Sequence, residues 1–568
     1  MSASSFLSFV FVGYTPYMTL LESLKARLVG DVLTDNATRK SYSRDTSVFE
    51  RTPEIVVYPK DTHDVAELVK TVAEAKREGE SASVTARAAG TDMSGGPLTD
   101  SVVAVFTKYM NKTLEVGDGY ALAEPGVYYR DFEKETRKIK NQLLPSFPAS
   151  RDLCALGGIV NNNSGGERTL EYGKTEKYVE ELEVVLADGT VTTFKALSQE
   201  ELAAKKALDT LEGKIYREVD ELITDNSIKI KAAKPKVAKN SAGYALWNVK
   251  DEAKGTFDLA QLVTGAQGTL ALTTKMKLGL VPEQGYRSML VIFLSDFALL
   301  PEIVHKILPF TPESFESYDD HTFKLAIRLL PQLLANMGFW GAVRLGLSFL
   351  PDVLVALRGG IPRLVLMAEF SEDTAEESLR KARLASTAIG HLDLSARVLK
   401  NARSAEKYWK VRHEAFAILR KKLPGLTAAP FIDDFVVPPD SYPEFLPQLF
   451  ALLDAEKFMY AVTGHIGDGN FHIFPLIDLK DPNSHKLILD LSPKIYELVI
   501  RYGGTTTGEH NDGIVRTPYL SMLFGPEVVK LFEKTKRIFD PENIFNPGKK
   551  GGGSFKDIEL YMQGAVLE

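Results

Sequence analysis

Cysteine is almost absent from this sequence: Cys154 is the only one in 568 residues. One thiol excludes an intramolecular disulfide framework. It also excludes an iron–sulfur cluster held by cysteines of this chain, since such clusters usually need four thiolates. The near absence of cysteine indicates a reducing compartment, so we expect a cytoplasmic protein.

An excess of basic residues is also missing. The chain has 68 Lys and Arg against 75 Asp and Glu, a net charge of -7. It shows neither an RNA-binding aromatic signature nor a zinc-finger spacing, so we expect no nucleic-acid partner. With 44% hydrophobic and 25% charged residues, the composition is typical of a globular protein of two or more domains.

Two apolar stretches fall short of a membrane span. The apolar stretch from Phe6 to Met18 is too short to span a membrane and lacks the basic flank of a signal peptide. We therefore interpret the residues before Met18 as a start-site artefact or a disordered extension. Phe323 to Leu357 is unusually apolar and is interrupted by two prolines. This pattern is typical of a pair of packed helices. The alternative is peripheral contact of region 323–358 with a partner or with the inner face of a membrane.

The commonest nucleotide-binding motifs are missing as well, because nothing fits GxGxxG at the start of a Rossmann helix or a Walker loop. Two other Gly-rich loops are present, RAAGTDMSGG (Arg87 to Gly96) and ALGGIVNNNSGG (Ala155 to Gly166). The first offers consecutive backbone amides that suit a pyrophosphate, and the second offers three asparagines that suit a planar heterocycle. Each loop taken alone is equally typical of simple chain reversal.

Histidine is scarce, and its placement is informative. Of nine histidines, two lie in GHIGDGNFH, Gly464 to His472. If Asp468 and Gly469 are the central residues of a two-residue hairpin turn, His465 and His472 are directly opposed on one face. Two imidazoles at that separation can bind one divalent ion.

A second motif, TGEHNDG from Thr507 to Gly513, places Glu509 and His510 side by side. Two histidines and one carboxylate form a metal site with positions left open for a substrate. A single histidine on an apolar strand is more often a hydrogen-bonded core residue. The concentration of three histidines in two such motifs favours the metal site.

The order of strand and helix patterns predicts a mixed α/β region at about 51–283, followed by an antiparallel sheet covered by helices. These motifs together resemble a known family, the FAD-linked oxidases and dehydrogenases of the vanillyl-alcohol-oxidase type, in their D-2-hydroxy-acid dehydrogenase branch. The resemblance covers nearly the whole chain from about residue 40. Its motifs, in order, are PEIVVYPKDTHDVAELV, RAAGTDMSGG, AEPGV, ALGGIVNNNSGG, YGKTEKYVEELEVVLADG, TGAQGTL, GHIGDGNFH, TGEHNDG and IFDPENIFNPGK.

The resemblance implies an α+β fold in which a PCMH-type FAD-binding domain of two α/β subdomains is joined to an antiparallel-sheet substrate domain. The implied boundaries are an N-terminal extension and helix at 1–50, the FAD-binding domain at 51–283, the substrate or cap domain at 284–500, and a segment at 501–568. This last segment completes the active site and returns to the FAD-binding domain.

It also implies bound FAD, with the pyrophosphate near the first Gly-rich loop and the flavin ring near the second. The implied cofactor-binding residues are Arg87, Gly90, Thr91, Asp92, Met93, Ser94, Gly95, Gly96, Pro125, Gly126, Gly157, Gly158, Asn163, Gly165, Gly166, Tyr172, Gly268 and Asn546. Three positions depart from the family pattern: Ile159, Gln267 and Asn511. The first loop has no histidine of the kind that attaches flavin in some relatives, so we expect noncovalent FAD.

The resemblance further implies that His465, His472 and Glu509 bind a divalent metal, usually zinc, and that His510 is the catalytic base. Arg412 stands where relatives bind the substrate carboxylate; the alternative is a salt bridge on a surface helix. Lys421 and Lys422 are further candidate cations. Phe416 and Phe474 replace polar substrate contacts of some D-2-hydroxyglutarate dehydrogenases.

The implied reaction is oxidation of a D-2-hydroxy acid, such as D-lactate or D-2-hydroxyglutarate, with electrons passed to a quinone or a separate redox protein. Two alternatives stay open. One is an oxidase that reduces dioxygen, and the other is a noncatalytic flavin-binding subunit of a partner dehydrogenase.

Overall fold

The computed structural model of the protein describes residues 18–320, 322, 362–422 and 425–564. The segment before Met18 and all of region 323–358 lie outside the described residues, as do the side chains of Phe416, Lys421 and Lys422. The described chain forms three larger sheets with helices packed on them, which confirms the predicted α+β class. Within the same residues, no helix has both the length and the apolar character needed to cross a bilayer.

The first sheet has four strands. They are β1 (Asp31–Leu33), β2 (Ile55–Tyr58), β3 (Val84–Arg87) and β4 (Val102–Val105), in the order β1-β2-β4-β3. β4 runs parallel to both of its neighbours and is buried along its whole length, as expected of an apolar parallel strand covered on both faces. The helices of this part are Leu20–Arg27, Asn36–Ser41 and Thr62–Arg77. The third begins after Asp61, whose carboxylate accepts a hydrogen bond from the amide of Asp64 at 2.9 Å and so caps the helix.

The second sheet has seven antiparallel strands. They are β5 (Thr113–Val116), β6 (Tyr120–Ala123), β8 (Val179–Val185), β9 (Val191–Leu197), β10 (Lys250–Asp251), β11 (Thr256–Asp258) and β12 (Leu272–Gly279). Their order is β10-β11-β9-β8-β12-β6-β5, while the short β7 (Gln142–Leu143) and β13 (Val281–Pro282) pair separately. The associated helices are Tyr129–Lys140, Leu156–Asn162, Thr169–Tyr172, Gln199–Lys206, Leu211–Asp225, Ser227–Ala233 and Ala260–Val263.

The third sheet is antiparallel, as predicted for the second half of the chain. Its strands are β14 (Tyr286–Leu294), β15 (Ser314–Asp319), β16 (Leu364–Glu372), β17 (Ser395–Leu399), β18 (Thr427–Ala428), β20 (Met459–His465) and β21 (Asn470–Ile477), in the order β17-β14-β16-β15-β20-β21-β18, with β19 (Phe435–Val436) also on β21. Its helices are Leu300–Ile307, Ala375–Ala388, Ala402–Lys422, Tyr442–Asp454 and Pro482–Arg501.

The two faces of this sheet bury different cores. Successive side chains of β16 point to opposite faces of the sheet. Leu366 packs in the large core, while Met367 packs in a smaller core with Tyr408 of the helix Ala402–Lys422. The registers of β15, β20 and β21 place Glu316, His465 and His472 on the same face as Met367. The charged residues of interest therefore lie on the side covered by that helix.

The C-terminal segment connects the sheets. Its helices are Gly513–Arg516, Leu520–Phe524, Pro526–Phe539 and Phe555–Tyr561. Between the last two, the amide of Val84 donates to the Ile544 carbonyl at 2.8 Å and the amide of Asn546 donates to Val84 at 3.0 Å, which attaches the segment to β3. Phe532 packs in the core of the second sheet, and Ile558 packs in that of the third.

Candidate functional site

The hairpin that carries two of the histidines has a different register from the predicted one. His465 pairs with Asn470 and Thr463 pairs with His472, so the connection has four residues and the predicted direct pairing of His465 with His472 is wrong. The reason is that Asp468 is buried and forms an ion pair with Lys239, whose Nζ lies 3.0 Å from its carboxylate. Asp468 therefore does not occupy a solvated two-residue turn. Since positions 463 and 465 lie on one face of β20, the two imidazoles still share that face, with ring centroids 5.2 Å apart.

Each of the three histidines is held by a buried carboxylate through Nδ1. His465 Nδ1 lies 2.6 Å from Glu316 Oε1, and His472 Nδ1 lies 3.0 Å from Asp433 Oδ1. His510 Nδ1 lies 2.6 Å from the other oxygen of Asp433. A hydrogen bond from Nδ1–H to a carboxylate fixes the tautomer and leaves Nε2 as the ligand or base atom, the arrangement of metal-binding histidines.

Glu509 lies in the same cluster. Its Oε1 is 3.4 Å from His465 Nε2 and 2.5 Å from Nζ of Lys239, which is fully buried. Burial alone would raise the pKa of Glu509, but Lys239 and His465 hold it well below its usual range. The carboxylate is thus ionised, as a metal ligand must be. Lys239 was missed by sequence reasoning, because no motif around it marks it as a partner of Glu509.

Asp434 organises the second motif. Its two oxygens accept from the amides of Glu509 and His510 at 2.9 and 2.7 Å, and also from Thr507 Oγ1 and Asn470 Nδ2. Ligand atoms of Asp434, His472, Glu509 and His510 all lie within 4.8 Å of one another, close enough for one metal ion. This group contains the predicted ligands His472 and Glu509 but not His465, whose Nε2 lies 3.4 Å from Glu509 Oε1. Hydrogen bonds already occupy Asp434, so the imidazole and Glu509 carboxylate donors are the better ligands, and donors of these types fit zinc.

Two opposing effects, burial and the charges of neighbouring groups, set the pKa values in this cluster. Burial alone would lower the pKa of His510, but Asp434 and Asp433 raise it to about 9. Burial alone would raise the pKa of Asp433, but His510 and His472 lower it. The pair therefore stabilises an imidazolium at His510, so this group holds its proton below about pH 9 and accepts one from a substrate only in its neutral form.

Arg412 lies beside the cluster. Its side chain is 6% exposed and forms an ion pair with Glu316, the carboxylate that holds His465. A salt bridge on a surface helix is therefore the wrong interpretation, since both partners are buried. Phe474 stacks near the ring of His472, with centroids 6.4 Å apart.

The first Gly-rich loop is closed by two carboxylates. Asp92 Oδ1 accepts from the amides of Ser94 and Gly96 at 2.6 and 3.1 Å, and Asp45 Oδ2 accepts from the amide of Gly95 at 3.0 Å. Burial and the Asp92 carboxylate raise the pKa of Asp45 to about 7. These bonds occupy amides that we expected to hold a pyrophosphate, and they leave those of Gly90, Thr91 and Asp92 as candidates from that set.

The second Gly-rich loop borders an open cradle. A Cβ added at Gly158 would meet only Ala88 Cβ, at 3.7 Å, and one added at Gly268 would meet only Ala86 Cβ, at 3.6 Å. The carbonyl of the buried Asn161 amide also lacks a hydrogen-bond partner. Space and an unsatisfied acceptor fit the polar edge of a flavin.

Other glycines of the loops permit close packing. A Cβ at Gly157 would lie 2.7 Å from Pro125, one at Gly166 would lie 2.3 Å from the Phe147 carbonyl, and one at Gly165 would lie 3.2 Å from Glu509 Oε1. The last distance places the cofactor loop directly beside the histidine cluster.

Two departures from the family pattern connect these loops. Gln267 Nε2 donates to Ser94 Oγ at 3.2 Å and to Asn162 Oδ1 at 3.1 Å, while its Oε1 accepts the amide of Gly513. Asn511 Nδ2 donates to the carbonyls of Asn162 and Gly265. Both residues therefore join the C-terminal segment to the cofactor loops.

The remaining predicted cofactor residues have mainly structural contacts. Asn546 donates to the carbonyls of Gly96 and Gln267, the amide side chain of Asn163 bonds Glu176, and the buried Arg87 donates to the Arg44 carbonyl. The amide of Gly126 donates a hydrogen bond to the Met110 carbonyl. The Tyr172 carbonyl accepts from the Tyr178 hydroxyl, and the Thr91 carbonyl accepts from the Thr46 hydroxyl. Met93 is half-buried.

Comparisons with known proteins agree with this arrangement. The family model described as "FAD binding domain" matches residues 53–195, and "FAD linked oxidases, C-terminal domain" matches residues 284–550. A D-2-hydroxyglutarate dehydrogenase of Pantoea ananatis is 27% identical over 94% of this chain but only 51% of its own length. This chain thus spans about half the length of that relative.

A D-lactate dehydrogenase of Archaeoglobus fulgidus is 26% identical over 87% of this chain and 90% of its own. Among solved structures, 4-ethylphenol oxidase from Gulosibacter chungangensis superposes with a TM-score of 0.66 at 17% identity, covering 94% of this chain and 97% of that one. The fold, the cradle and the two domain matches agree: the chain contains an FAD-binding domain followed by the C-terminal domain of FAD-linked oxidases.

Proposed function

We propose that this protein is an FAD-dependent dehydrogenase that oxidises a D-2-hydroxy acid to the 2-oxo acid. The observation that carries the proposal is the cluster of His465, His472, Glu509 and His510 beside Gly165 of the cofactor loop, with all three Nδ1 atoms held by buried carboxylates. Relatives named D-2-hydroxyglutarate dehydrogenase and D-lactate dehydrogenase support the substrate class.

The metal ligands in this proposal are His465, His472 and Glu509. A divalent ion there, zinc by the donor set, would supply Lewis-acid stabilisation of the substrate hydroxyl oxygen as its proton leaves. FAD, held without a covalent bond, would supply the acceptor for the hydride that leaves Cα.

His510 takes the hydroxyl proton at Nε2, while Asp433 holds its Nδ1–H and stabilises the imidazolium. Loss of one proton and one hydride converts the hydroxyl carbon to the carbonyl of the 2-oxo acid. Arg412 is the proposed partner of the substrate carboxylate, and its ion pair with Glu316 fixes it beside His465. We further propose a cytoplasmic location and transfer of electrons to a quinone or a separate redox protein.

Anaerobic mixing of the FAD-loaded protein with D- and L-2-hydroxy acids tests this function. We expect bleaching of the flavin absorbance by D-acids only, without any partner protein. Bleaching by neither enantiomer refutes the dehydrogenase and favours a noncatalytic flavin subunit. Rapid peroxide release when air is admitted identifies the oxidase instead.

A further inference from the structure

Lys239 is a buried cation that contacts the histidine cluster and has no part in the proposed reaction so far. Its side chain is 0% exposed, and its Nζ lies 2.5 Å from Glu509 Oε1 and 3.0 Å from Asp468 Oδ2. The Gly166 carbonyl accepts a longer hydrogen bond from the same nitrogen, at 3.5 Å. One ammonium group therefore joins the turn of the histidine hairpin, the motif that contains Glu509 and the second Gly-rich loop.

The backbone beside Lys239 is anchored to the TGEHNDG motif by other bonds. The amide of Ser241 donates to the Thr507 carbonyl at 2.9 Å, and the amide of Gly243 donates to Asp512 Oδ2 at 2.8 Å. These bonds do not involve the Lys239 side chain, so a substitution at that residue leaves the two segments attached. The effect of the ammonium charge can therefore be measured apart from the attachment of the backbone.

Asp468 and Glu509 share this ammonium as a counter-charge. Each carboxylate side chain is only 5% exposed, and both contact the same nitrogen. Buried carboxylates need a paired charge, and two of them at one place repel each other without it. Lys239 thus holds the hairpin turn against the carboxylate that lies 3.4 Å from His465 Nε2.

A cation on a metal ligand also opposes a metal ion on the same ligand. Coulomb repulsion between the Lys239 ammonium and a dication that shares Glu509 is poorly screened in a buried site. The charge-assisted hydrogen bond draws negative charge from Oε1 of Glu509, which leaves less of it for the metal. A metal ion that is less neutralised by its ligands polarises a substrate oxygen more strongly.

We propose that Lys239 is a positioning residue that compensates the charges of Asp468 and Glu509 and weakens the hold of the cluster on its metal ion. The metal ion stays a strong Lewis acid as a result. The inference rests on the ligand set of the proposed function and adds to it a residue that acts through Glu509.

Zinc titration of the full FAD-loaded chain at one pH tests this role. We expect Lys239→Gln to bind zinc at least about tenfold more tightly than wild type, because the opposing charge is gone. Asp468→Asn should bind zinc at least about tenfold more weakly, because Lys239 then has one carboxylate fewer to compensate it. The double variant has the net charge of wild type, so its zinc affinity should return to within about threefold of wild type.

Lys205→Gln is the matched control. Lys205 pairs with Glu212 at the same N–O distance, 2.5 Å, in a helix outside the cluster. Its removal should leave the zinc affinity at the wild-type value. Circular dichroism and flavin absorbance verify the fold and the bound cofactor of each variant.

Zinc binding by Lys239→Gln that is no tighter than that of wild type, with fold and FAD intact, overturns the inference. A double variant that stays as tight as Lys239→Gln also overturns it, since compensation of charge then has no effect. If Lys239→Gln does not fold, Asp468→Asn decides, and wild-type affinity in that variant refutes the role of Lys239.

Two further outcomes separate the inference from the proposed function. Absence of zinc binding by the wild-type protein refutes both, because the ligand set is then wrong. If the four affinities follow the expected order but no D-2-hydroxy acid bleaches the flavin, the role of Lys239 stands and the proposed dehydrogenase fails.

Discussion

His510 Nδ1 lies 2.6 Å from Oδ2 of Asp433, which is fully buried, while the His510 side chain is 20% exposed. The other oxygen of Asp433 bonds His472 in the same way. One carboxylate thus orients a proposed metal ligand and the proposed base together, which couples metal binding to proton transfer in this account.

Asp433→Asn tests this shared support. Removal of the charge weakens both imidazole orientations, and we expect zinc affinity to fall by about 10- to 100-fold together with slower flavin reduction. Zinc titration and stopped-flow reduction measure the two effects. Asp440→Asn, at an exposed carboxylate paired with His305, is the control. Wild-type zinc affinity in Asp433→Asn contradicts the assignment.

His510→Asn separates the base from the metal ligands. We expect full FAD and metal content, with flavin reduction slowed by about 10²- to 10⁴-fold because no group takes the hydroxyl proton. Metal analysis and stopped-flow absorbance measure these quantities. The exposed His391, paired with Glu302, provides a control variant, His391→Asn. A reduction rate within a few-fold of wild type would rule out the base role.

Gly158→Val tests the flavin cradle. The added side chain points into open space, so the protein should fold, but we expect FAD binding to be lost because the side chain fills the cradle. Circular dichroism reports the fold, and absorbance near the flavin maximum reports bound cofactor. Gly285→Val is the control and should keep its FAD, because Gly285 is exposed and an added Cβ there would meet no described atom within 4 Å. Normal FAD content in Gly158→Val would show that the flavin does not bind in this cradle.

The motifs that could be predicted from the sequence are local ones. Glycines and histidines within a few residues of each other, as in Gly464 to His472, show their grouping directly. The face shared by His465 and His472 was predicted from a turn two residues too short. It is observed nonetheless, because a register shift of two positions along a strand leaves a side chain on the same face. The turn was mispredicted because the buried ion pair of Asp468 with Lys239 joins residues far apart in sequence.

The supporting carboxylates were missed for the same reason. Glu316 is a single acid in a strand, and only the pairing of β15 with β20 brings it to His465. Asp433 and Asp434 did carry a signal, since two adjacent acids in the apolar run FIDDFVVP need buried partners. Long-range pairing decides which partners those are.

Metal removal is the most direct test of the central claim, that His465, His472 and Glu509 hold one divalent ion needed for hydroxy-acid oxidation. Mass spectrometry and metal analysis measure the metal content of the protein before and after treatment with a chelator. The treated sample is then mixed anaerobically with a D-2-hydroxy acid. The account predicts one metal per chain, loss of flavin bleaching on its removal with FAD retained, and recovery when zinc is restored. Undiminished bleaching by a verified metal-free protein would contradict it.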